Sequence, residues 1–407
     1  MLILGFESTA HTFGAAVVES KIGLESPGKK GSASLGAFNA KIRQNASKMS
    51  PSNTKILSET DMKYPSLKEG FIPRRLADFH AKNFDSIFEG ALAGAKASLS
   101  DLDAVCYSYG PGIGHSLHIG YMAARSISVA MGIPLIPVNH ALAHIEIARF
   151  HSGFKDPLAI YVSGGNTQVL ALEKYHGSAA SMHGGSKHSI QYQKMHPNSR
   201  HYRILGETLD IGLGNCLDQL GRHLQLSPPD AVGVLKAAQK GSTLLDLPYI
   251  VKGMNTSYSG MLTAVKKIAA GPKAVNQNGS GMLEIRSIGN IDTVRNSAIP
   301  KAEDICLSVQ EYAFSMLLET AERALTLTKR KEIVGVGGNY RNKRLKEMTL
   351  ALAKEHRVKC FFPSFELLGD NAGMITITGA LQFASGVYPL EALPNQRARI
   401  DAEIIAW

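Results

Sequence analysis

The sequence has no uninterrupted apolar run that approaches the roughly 20 residues needed to cross a bilayer. Met1 is followed by the strand-like segment LILGFES rather than by a basic stretch and an apolar signal core. The four cysteines are widely spaced and form no Cys-x-x-Cys pair: Cys106, Cys216, Cys306 and Cys360. We therefore expect a cytoplasmic protein with no membrane contact, whose cysteines are reduced and buried.

A chain of 407 residues exceeds what a single hydrophobic core usually supports, so we expect two domains. Apolar residues make up 44% and charged residues 19% of the chain, which excludes wholesale disorder. Lys and Arg (44) outnumber Asp and Glu (34), which gives a net charge of +10. This balance favours a polyanionic partner such as nucleic acid, although many intracellular proteins are mildly basic without binding one.

Two segments have the pattern of a strand, a tight polar turn and a second strand. The first, residues 2–18, surrounds FESTAHTFG and predicts a hairpin whose turn binds phosphate, and the second is LAIYVSGGNTQVLAL. Helices are expected over 75–97, from the glycine turn GPGIG to about residue 132, and through HALAHIEIARF. Two lobes that each open on such a hairpin are typical of the actin, hexokinase and chaperone ATPase class.

Three segments do not fit this pattern and are expected to be insertions. Residues 20–60 are rich in Ser, Gly, Asn and Lys. They predict a mobile basic loop that either contacts nucleic-acid phosphates or is a solvated insertion. Residues 174–200 and 272–299 are predicted to be surface loops.

The segment VNHALAHIE carries two histidines four residues apart. On a helix this spacing places His140 and His144 on one face, where both imidazoles can bind the same ion. The alternative is a pair of solvated or hydrogen-bonded histidines. The zinc-protease pattern is absent, because Ala141 stands where His-Glu-x-x-His needs its general-base glutamate.

A third metal ligand has to come from elsewhere in the chain. Asp370 in LLGDNAGMI is the best candidate, because its carboxylate sits on a turn that opens an apolar helix. Its alternative role is that of an N-cap. Tyr161, just before the SGG turn, is a candidate fourth contact, or else a core tyrosine. Two histidines and one aspartate suit iron and zinc equally well.

Three glycine turns predict contacts with anions or nucleotides. The turn Ser163–Asn166 presents backbone N–H groups that phosphate oxygens can approach. GPGIG at 110–114 offers a second anion site at a helix N-terminus, or is only a structural turn. Gly337 and Gly338, ahead of a helix that carries Asn342, resemble a shelf on which adenine stacks.

The segment GETLDIGLGNCLDQLGR contributes two carboxylates. Asp210 and Asp218 are separated by a little over two turns of the predicted helix. A carboxylate here can accept hydrogen bonds from ribose hydroxyls, or it is simply exposed on the helix surface.

Six ordered segments together resemble one family: VNHALAHIE, YVSGGNTQV, GETLDIGLGNCLDQLGR, VKGMNTSYSGMLTA, GGNYRNKRL and GDNAGMI. They are similar to the tRNA threonylcarbamoyladenosine transferase family in its archaeal and eukaryotic branch, formerly named O-sialoglycoprotein endopeptidase. The resemblance runs from FESTAHTFG to RIDAEIIAW, with the three insertions unmatched. It implies a two-lobed actin-like ATPase α/β fold with a ligand cleft between the lobes.

The fold and the repeated hairpins together predict the domain organisation. We expect an N-terminal lobe at 1–138, a C-terminal lobe at 139–379 and a segment at 380–407 that returns to the first lobe. The basic insertion belongs to the first of these, and the other two insertions belong to the second.

The resemblance implies transfer of a threonylcarbamoyl group from threonylcarbamoyl-adenylate to N6 of adenosine 37 in tRNAs that read ANN codons, with release of AMP. One divalent iron or zinc ion is expected on the catalytic residues His140, His144 and Asp370, with Tyr161 as a further contact. The adenylate, or an ATP analogue, is expected to contact the residues that match the family's nucleotide site: Tyr161, Val162, Ser163, Gly164, Gly165, Asp218, Gly233 and Asn342.

The resemblance also implies partners. Family members act on tRNA within a KEOPS-type assembly that contains a small protein kinase, which some archaea fuse to the C-terminus. Because this chain ends at Trp407, we expect a separate kinase-like subunit together with the other KEOPS subunits.

The chain departs from the family pattern at four places. Ala237 replaces a carboxylate four residues after Gly233, so one ribose contact is lost or is supplied by Asp230. Phe79–His80 replaces a His-His pair, and the other two departures are Asn371–Ala372–Gly373 for Asn-Gly-Ala and GGNYRN for GGVAxN. These departures leave a second interpretation open, a nucleotide-binding scaffold subunit with weakened turnover. A metalloprotease is disfavoured by the missing glutamate.

Overall fold

The computed structural model describes residues 1–22, 46–65, 70–175, 199–270, 300–389 and 392–407. Most of each predicted insertion lies outside these ranges: 23–45 of the first, 176–198 of the second and the whole of 272–299. Within the described ranges, no helix is both long enough and apolar enough to cross a membrane.

The described chain contains strands β1–β12 and helices α1–α10. The strands are β1 (Leu2–Glu7), β2 (Thr12–Ser20), β3 (Thr54–Lys63), β4 (Ala104–Gly110), β5 (Leu135–Asn139), β6 (Leu158–Val162), β7 (Thr167–Lys174), β8 (Arg200–Glu207), β9 (Val251–Lys252), β10 (Asn255–Thr256), β11 (Glu332–Val336) and β12 (Lys359–Phe361). The helices are α1 (Pro73–Ala95), α2 (Gly114–Met131), α3 (His140–Ser152), α4 (Leu213–His223), α5 (Ala231–Ala238), α6 (Ser259–Ala269), α7 (Ala302–Thr328), α8 (Lys343–Glu355), α9 (Phe365–Leu368) and α10 (Ala372–Ser385).

The first sheet has the strand order β3-β2-β1-β4-β5. β1 and β2 form the hairpin predicted at the start of the chain, with Leu2 opposite Glu19 and Glu7 opposite Gly14. β3 extends this hairpin antiparallel to β2, whereas β4 and β5 continue the sheet parallel to β1. Parallel neighbours need a crossover connection, and helices α1 and α2 lie in the connections that lead into β4 and β5.

The second sheet repeats this topology. Its strand order is β12-β11-β6-β7-β8, so the hairpin strands β6 and β7 and the edge strand β8 take the places of β1, β2 and β3. β11 lies parallel to β6, and β12 lies parallel to β11. The repeated order is that of the actin-like α/β class, and the predicted fold class is confirmed.

The chain divides into two compact units. The first comprises Met1–Ser163, Gln168–Gly206 and Ala321–Trp407, and it holds nearly all of both five-stranded sheets. The second comprises Gly164–Thr167 and Glu207–Thr320, with α4, α5, α6 and most of α7. The boundaries expected from the repeat, at 138/139 and 379/380, stay a prediction.

Helix α3 lies at the centre of the first unit and is buried from His140 to Ala148. On one side, Ala143 and Ile147 join the apolar cluster under β4 and β5. On the other side, Leu142 and Ile145 join the cluster under β6, β7 and β11. Each large aliphatic side chain buried in this way stabilises the fold by about 1.5–3 kcal/mol, so both cores hold the helix in place.

Local signals determine where α3 begins and ends. The side chain of Asn139 caps the N-terminus by accepting a hydrogen bond from the backbone N–H of Leu142 at 3.2 Å. At the other end, Gly153 adopts the left-handed conformation with φ 69° and donates its N–H to the carbonyl of Arg149 at 2.9 Å. The helix predicted through HALAHIEIARF is confirmed.

Two expectations need correction. Residues 54–60 of the predicted basic loop belong to strand β3, which pairs with β2 between Thr54 opposite Ser20 and Lys63 opposite Thr12. β3 is an edge strand with many exposed polar side chains, and for that reason its sequence resembles a loop. Cys360 is only half-buried, while the other three free cysteines are buried as expected.

Glu146 on α3 is the centre of a buried polar cluster. Its carboxylate accepts hydrogen bonds from Nη1 of Arg149 at 2.7 and 2.8 Å and from the hydroxyl of Tyr202 at 2.9 Å. It also accepts the indole N–H of Trp407 at 2.7 Å. The segment near Trp407 is therefore tied to the helix that carries the two candidate histidine ligands.

We expect Glu146→Ala to lower the free energy of unfolding by about 3–5 kcal/mol, because it leaves the Arg149 cation buried without its counter-ion. Denaturant titration measures the change. The matched control is Glu347→Ala, which removes an exposed partner of Lys343 and should cost less than about 1 kcal/mol. Equal effects of the two substitutions would contradict this account.

A second prediction concerns His80, which is buried and stacks on Phe13 with ring centroids 4.9 Å apart. Burial lowers the pKa of His80 to about 4. Between about pH 6.5 and pH 4 the unfolded state therefore binds a proton that the folded state does not, and stability falls as the pH falls through this window.

We expect His80→Phe, which keeps an aromatic ring against Phe13, to reduce the loss of stability on going from about pH 7 to about pH 5 by about 2 kcal/mol. Chemical denaturation of both proteins at the two pH values tests this. Parallel pH profiles for the wild type and the variant would show that His80 does not titrate as described.

Candidate metal and nucleotide sites

The first turns of α3 hold His140 and His144, one turn apart and both buried. Their rings lie 4.7 Å apart, centroid to centroid, in a perpendicular arrangement. Because α3 packs between two apolar clusters, the helix cannot rotate to expose either imidazole to solvent. The helix thus presents two ring nitrogens at a fixed separation.

Asp370 lies just before α10, far away in the sequence, and its Oδ1 approaches both histidines. The distances are 3.5 Å to Nε2 of His140 and 3.3 Å to Nε2 of His144. The three ligand atoms lie within 4.8 Å of one another. The structure therefore brings the three predicted metal ligands together.

The alternative role of Asp370 as a helix cap is wrong. The cap of α10 is Asn371, whose Oδ1 accepts a hydrogen bond from the backbone N–H of Met374 at 2.7 Å. The backbone N–H of Gly373 is taken by Oε1 of Glu59 at 3.0 Å. Asn371 and Glu59 accept these N–H groups at the start of α10, so the Asp370 carboxylate is not needed there and faces the histidine pair instead.

The donor set fits a transition-metal ion. Nε2 of His144 is buried, and although Oδ1 of Asp370 lies 3.3 Å away, this nitrogen forms no hydrogen bond of good geometry with any residue that the structure describes; a buried polar atom in that state is costly. A cation held by His140, His144 and Asp370 satisfies this nitrogen. Two imidazoles and one carboxylate suit iron or zinc and leave coordination positions for a substrate.

The protonation of the cluster also suits a cation. Burial is the main reason that the pKa of His144 is lowered. Burial opposes ionisation of Asp370, but its contacts with both histidines outweigh this and hold the pKa of its carboxyl well below the usual value. Burial likewise opposes protonation of His140, yet Glu7 and Asp370 raise its pKa well above the usual value. An ion bound by Nε2 of His140 would take the place of a proton on that ring.

Sequence reasoning missed the residues behind His140. Oε2 of Glu7, at the end of β1, lies 3.0 Å from Nδ1 of His140, and Oγ1 of Thr9 lies 3.2 Å from the same nitrogen. Oε1 of Glu7 accepts hydrogen bonds from the backbone N–H and the hydroxyl of Thr9. A carboxylate in this position orients a ligating imidazole and raises its basicity.

This contact corrects the interpretation of the first hairpin as a phosphate-binding turn. The backbone N–H of Ser8 is donated to Oγ of Ser108 at 3.0 Å, and that of Thr9 to Glu7 at 2.7 Å. Two of the amide groups that phosphate would need are thus occupied, and the turn adds the carboxylate of Glu7. In the sequence, only the polar segment Glu7–Thr9 between two apolar strands indicated that this turn could contact His140.

Two further side chains lie beside the cluster. Tyr161, at the end of β6, is fully buried, and its ring centroid lies 5.4 Å from that of His144. Its role as a fourth contact stays a prediction. Nδ1 of His11 lies 3.9 Å from Oδ2 of Asp370, on the side of the carboxylate away from the histidine pair. Nothing in the sequence pattern singled out His11.

In the first unit, some of the predicted nucleotide residues lie close together. The side-chain amide of Asn339 donates hydrogen bonds to the carbonyls of Ser163 at 3.1 Å and Val162 at 3.5 Å. Gly337 has φ 94°, and a side chain there would collide with the carbonyl of Val162, so glycine is required. Asn342 caps α8 by accepting two of its backbone N–H groups. Its adenine contact stays a prediction.

In the second unit, the SGG turn packs against the start of α4. The backbone N–H of Asn215 donates to the carbonyl of Gly164 at 2.9 Å. A Cβ added at Gly164 or Gly165 would meet no atom within 4 Å, so a ligand can approach this backbone closely. Oδ1 of Asp218 accepts the backbone N–H of Ala231 at 2.8 Å. A side chain at Gly233 would collide with backbone, which explains that glycine by packing alone.

Two other sequence interpretations change. Asp210 precedes α4 rather than lying on it, so it does not share a helix face with Asp218. Its carboxylate accepts hydrogen bonds from Oγ of Ser257 at 2.6 Å and from the backbone of Tyr258 at 3.0 Å. Partial burial opposes ionisation of Asp210, but these bonds and those from Ser259 hold its pKa well below the usual value. Asp210 is therefore a structural acceptor.

The GPGIG turn is structural as well. The backbone N–H of Ile113 donates to the carbonyl of Thr9 at 2.7 Å, and that of Gly112 to the carbonyl of Gln396 at 3.4 Å. Side chains at Gly112 and Gly114 would press against Thr9 and Gln396. Two amide groups of the expected anion site are thus already bonded to carbonyl oxygens.

We expect Glu7→Ala to weaken metal binding by roughly 10–100-fold, because loss of a partner behind a ligating histidine has effects of this size. Titration against a competing chelator measures the affinity. Glu7→Gln, which can still contact His140, should lose less than Glu7→Ala. The matched control is Glu19→Ala, since Glu19 is exposed on the paired strand β2. Unchanged affinity in Glu7→Ala would contradict the orienting role.

Comparison with known proteins adds the family. The model of the family described as "tRNA N6-adenosine threonylcarbamoyltransferase" matches residues 54–183 and 191–377. A protein of that name from Staphylothermus marinus is 37% identical over 99% of this chain and 99% of its own length. A "Probable bifunctional tRNA threonylcarbamoyladenosine biosynthesis protein" from Methanocaldococcus jannaschii is 36% identical over 85% of this chain and 55% of its own length.

Among solved structures, HypF from T. kodakarensis aligns with 94% of this chain and 47% of its own chain, at 13% identity and a TM-score of 0.49. The family match covers the two histidines, the SGG turn and Asp370. The chain belongs to the tRNA N6-adenosine threonylcarbamoyltransferase family.

Proposed function

We propose that this protein transfers the threonylcarbamoyl group of threonylcarbamoyl-adenylate to N6 of adenosine 37 in tRNAs that read ANN codons. The exocyclic nitrogen of adenine bonds to the carbamoyl carbon, the bond from that carbon to the phosphate oxygen breaks, AMP leaves, and the nitrogen loses a proton. The observation that carries the proposal is the cluster of His140, His144 and Asp370 in a chain that matches the family from end to end.

In this proposal His140, His144 and Asp370 hold one iron or zinc ion, with Tyr161 beside it. A bound ion supplies a Lewis acid that polarises the carbonyl under attack and anchors the threonyl part of the donor. Glu7 keeps His140 in the orientation that its ring needs. None of these residues acts as a covalent nucleophile, and the chemistry depends on positioning.

The adenylate is proposed to bind through the backbone of the SGG turn, Ser163–Gly165, and through Asp218, Gly233 and Asn342. The open approach to Gly164 and Gly165 supports a ligand close to that backbone. Adenine N6 is a weak nucleophile, so holding it beside an activated carbonyl removes much of the entropic barrier. Binding of both substrates thus contributes most of the rate enhancement in this mechanism.

The net charge of +10 supports a polyanionic substrate such as tRNA. We propose that the protein is cytoplasmic and works as the catalytic subunit of a KEOPS-type complex with a separate kinase-like subunit. The M. jannaschii relative is named as bifunctional, and this chain spans 55% of its length, which supports a second activity associated with the first.

The alternative is a nucleotide-binding scaffold subunit with weakened turnover. Ala237 is half-buried on α5, and its methyl side chain offers no acceptor for ribose. Asp230, the candidate replacement, already uses Oδ1 to cap α5 by accepting the backbone N–H groups of Val232 at 2.9 Å and Gly233 at 3.3 Å. Tight binding of an adenylate without product formation would favour this alternative.

We expect His140→Ala and Asp370→Ala each to lower the transfer rate by about a hundredfold or more, because each removes a ligand of the ion that polarises the carbonyl. Nucleoside mass spectrometry of tRNA, incubated with the adenylate donor and the full set of partner subunits, measures the product. Metal analysis of the purified variants should show loss of the bound ion.

The control is His151→Ala, since His151 is exposed in the last turn of the same helix. It should keep both activity and metal. Failure of the wild type to form threonylcarbamoyladenosine with all partners present would overturn the proposed function. Normal turnover in His140→Ala would overturn the assignment of the ligands.

A further inference from the structure

Phe71 is a large apolar side chain that is 40% exposed, in the segment just before α1. Its ring is stacked on that of His11, with centroids 5.6 Å apart and planes within 6° of parallel. The side chain of His11 is itself 39% exposed. We call this pair the His11–Phe71 stack. Both members of the stack are therefore partly accessible to a ligand.

The His11–Phe71 stack is held from within the protein. The rings of Tyr64 and Phe71 meet in a T-shaped arrangement with centroids 6.4 Å apart, and Tyr64 makes a second T-shaped contact with Phe79 at 5.5 Å. The backbone N–H of Tyr64 donates to the carbonyl of His11 at 2.7 Å. Core packing of Phe71 would bury its ring, whereas these contacts support the ring and leave it partly exposed. Such an arrangement is preorganised for a planar ligand.

The position of the stack links it to the metal cluster. Nδ1 of His11 lies 3.9 Å from Oδ2 of Asp370, whose Oδ1 faces His140 and His144. Two contacts therefore separate Phe71 from a metal ligand. A flat group that extends the stack lies beside the place where the acyl group is transferred in the proposed function.

Charge next to the stack favours a nucleotide over a neutral ring. Pro73 begins α1, and Arg74 and Arg75 are exposed in its first turn, which contains no acidic residue. Cations at a helix N-terminus oppose the helix dipole, so the dipole does not account for Arg74 at this position. Together with the dipole they attract a phosphate. A base on the stack and its flanking phosphate near Arg74 match these features.

We propose that the His11–Phe71 stack is the platform on which the acceptor adenine of the RNA stacks, with Arg74 near a flanking phosphate. The inference rests on the proposed function, because it assigns a binding surface to the acceptor base of that reaction. An aromatic face holds a base drawn out of its own stack. A base stacked on this platform has its exocyclic amine held in one orientation relative to the metal cluster.

The test is a double-mutant cycle on binding, which needs no turnover. The probes are two anticodon stem-loop RNAs, one with adenosine and one with an abasic site at the acceptor position. Their affinities are measured with the full chain assembled with its partner subunits. Wild type should prefer the adenosine RNA, and Phe71→Leu should weaken binding of that RNA by about tenfold. Binding of the abasic RNA should not change.

Three controls accompany the cycle. Phe71→Tyr keeps an aromatic ring and should keep the preference for adenosine, whereas Phe71→Leu keeps only apolar bulk. Arg74→Gln should weaken both RNAs equally and reduce the salt dependence of binding by about one counterion. The unfolding midpoint and metal content of Phe71→Leu should equal those of wild type.

The cycle separates this proposal from the proposed function. Equal weakening of both RNAs by Phe71→Leu, no weakening of either, or no binding of either RNA by wild type would overturn the platform, even if the transfer reaction proceeds. A preserved adenosine preference in wild type that Phe71→Leu abolishes would support the platform even if no threonylcarbamoyl group is transferred.

Discussion

The burial of α3 between two apolar clusters is the constraint on which the site depends. Ala143 and Ile147 hold one side of the helix and Leu142 and Ile145 the other. Because neither side can move without opening a core, the remaining face presents its two histidines in one orientation. The buried cluster of Glu146 adds hydrogen bonds to this helix from residues far away in the sequence. The packing that stabilises α3 in the fold therefore also fixes the positions of His140 and His144.

Three charged or titratable side chains lie around the histidine pair, and each makes a different contact. Glu7 lies behind His140, Asp370 lies in front of both histidines, and His11 lies on the far oxygen of Asp370. A carboxylate on each side of the buried imidazole of His140 favours a cation at this place, because nearby acceptor oxygens take the place of water around the charge. The same arrangement leaves the outer oxygen of Asp370 next to the His11–Phe71 stack.

The structure explains one departure from the family pattern, the order Asn371–Ala372–Gly373 at the start of α10. Asn371 supplies the cap of α10, and the cap itself does not depend on the order of the two residues after it. Gly373 donates to Glu59, and a Cβ there would press against Ile56 at 2.6 Å. Glycine is therefore required at this position by the neighbouring strand β3. By contrast, Asp230, the candidate replacement for the carboxylate expected at Ala237, serves as the cap of α5.

Much of the fold was predictable from the sequence, because strands and helices are specified by local patterns of apolar residues and caps. The two hairpins, the helix through HALAHIEIARF and the spacing that places two histidines on one face all follow from residues within one element. Asp370 was chosen because its carboxylate sits on a turn that opens an apolar helix, and the resemblance to the family then implied the same residue. Glu7, Thr9 and His11 were not found as site residues, since their contacts with His140 and Asp370 join segments more than a hundred residues apart in the chain. Such contacts depend on how β1, α3 and α10 pack, which no local pattern encodes. The sequence by itself determined which three side chains are able to hold a metal ion, because ligand types and helical spacing are local features. The tertiary structure decided that the Glu7 carboxylate contacts His140 and that the Tyr161 ring lies beside His144, because those contacts join distant segments.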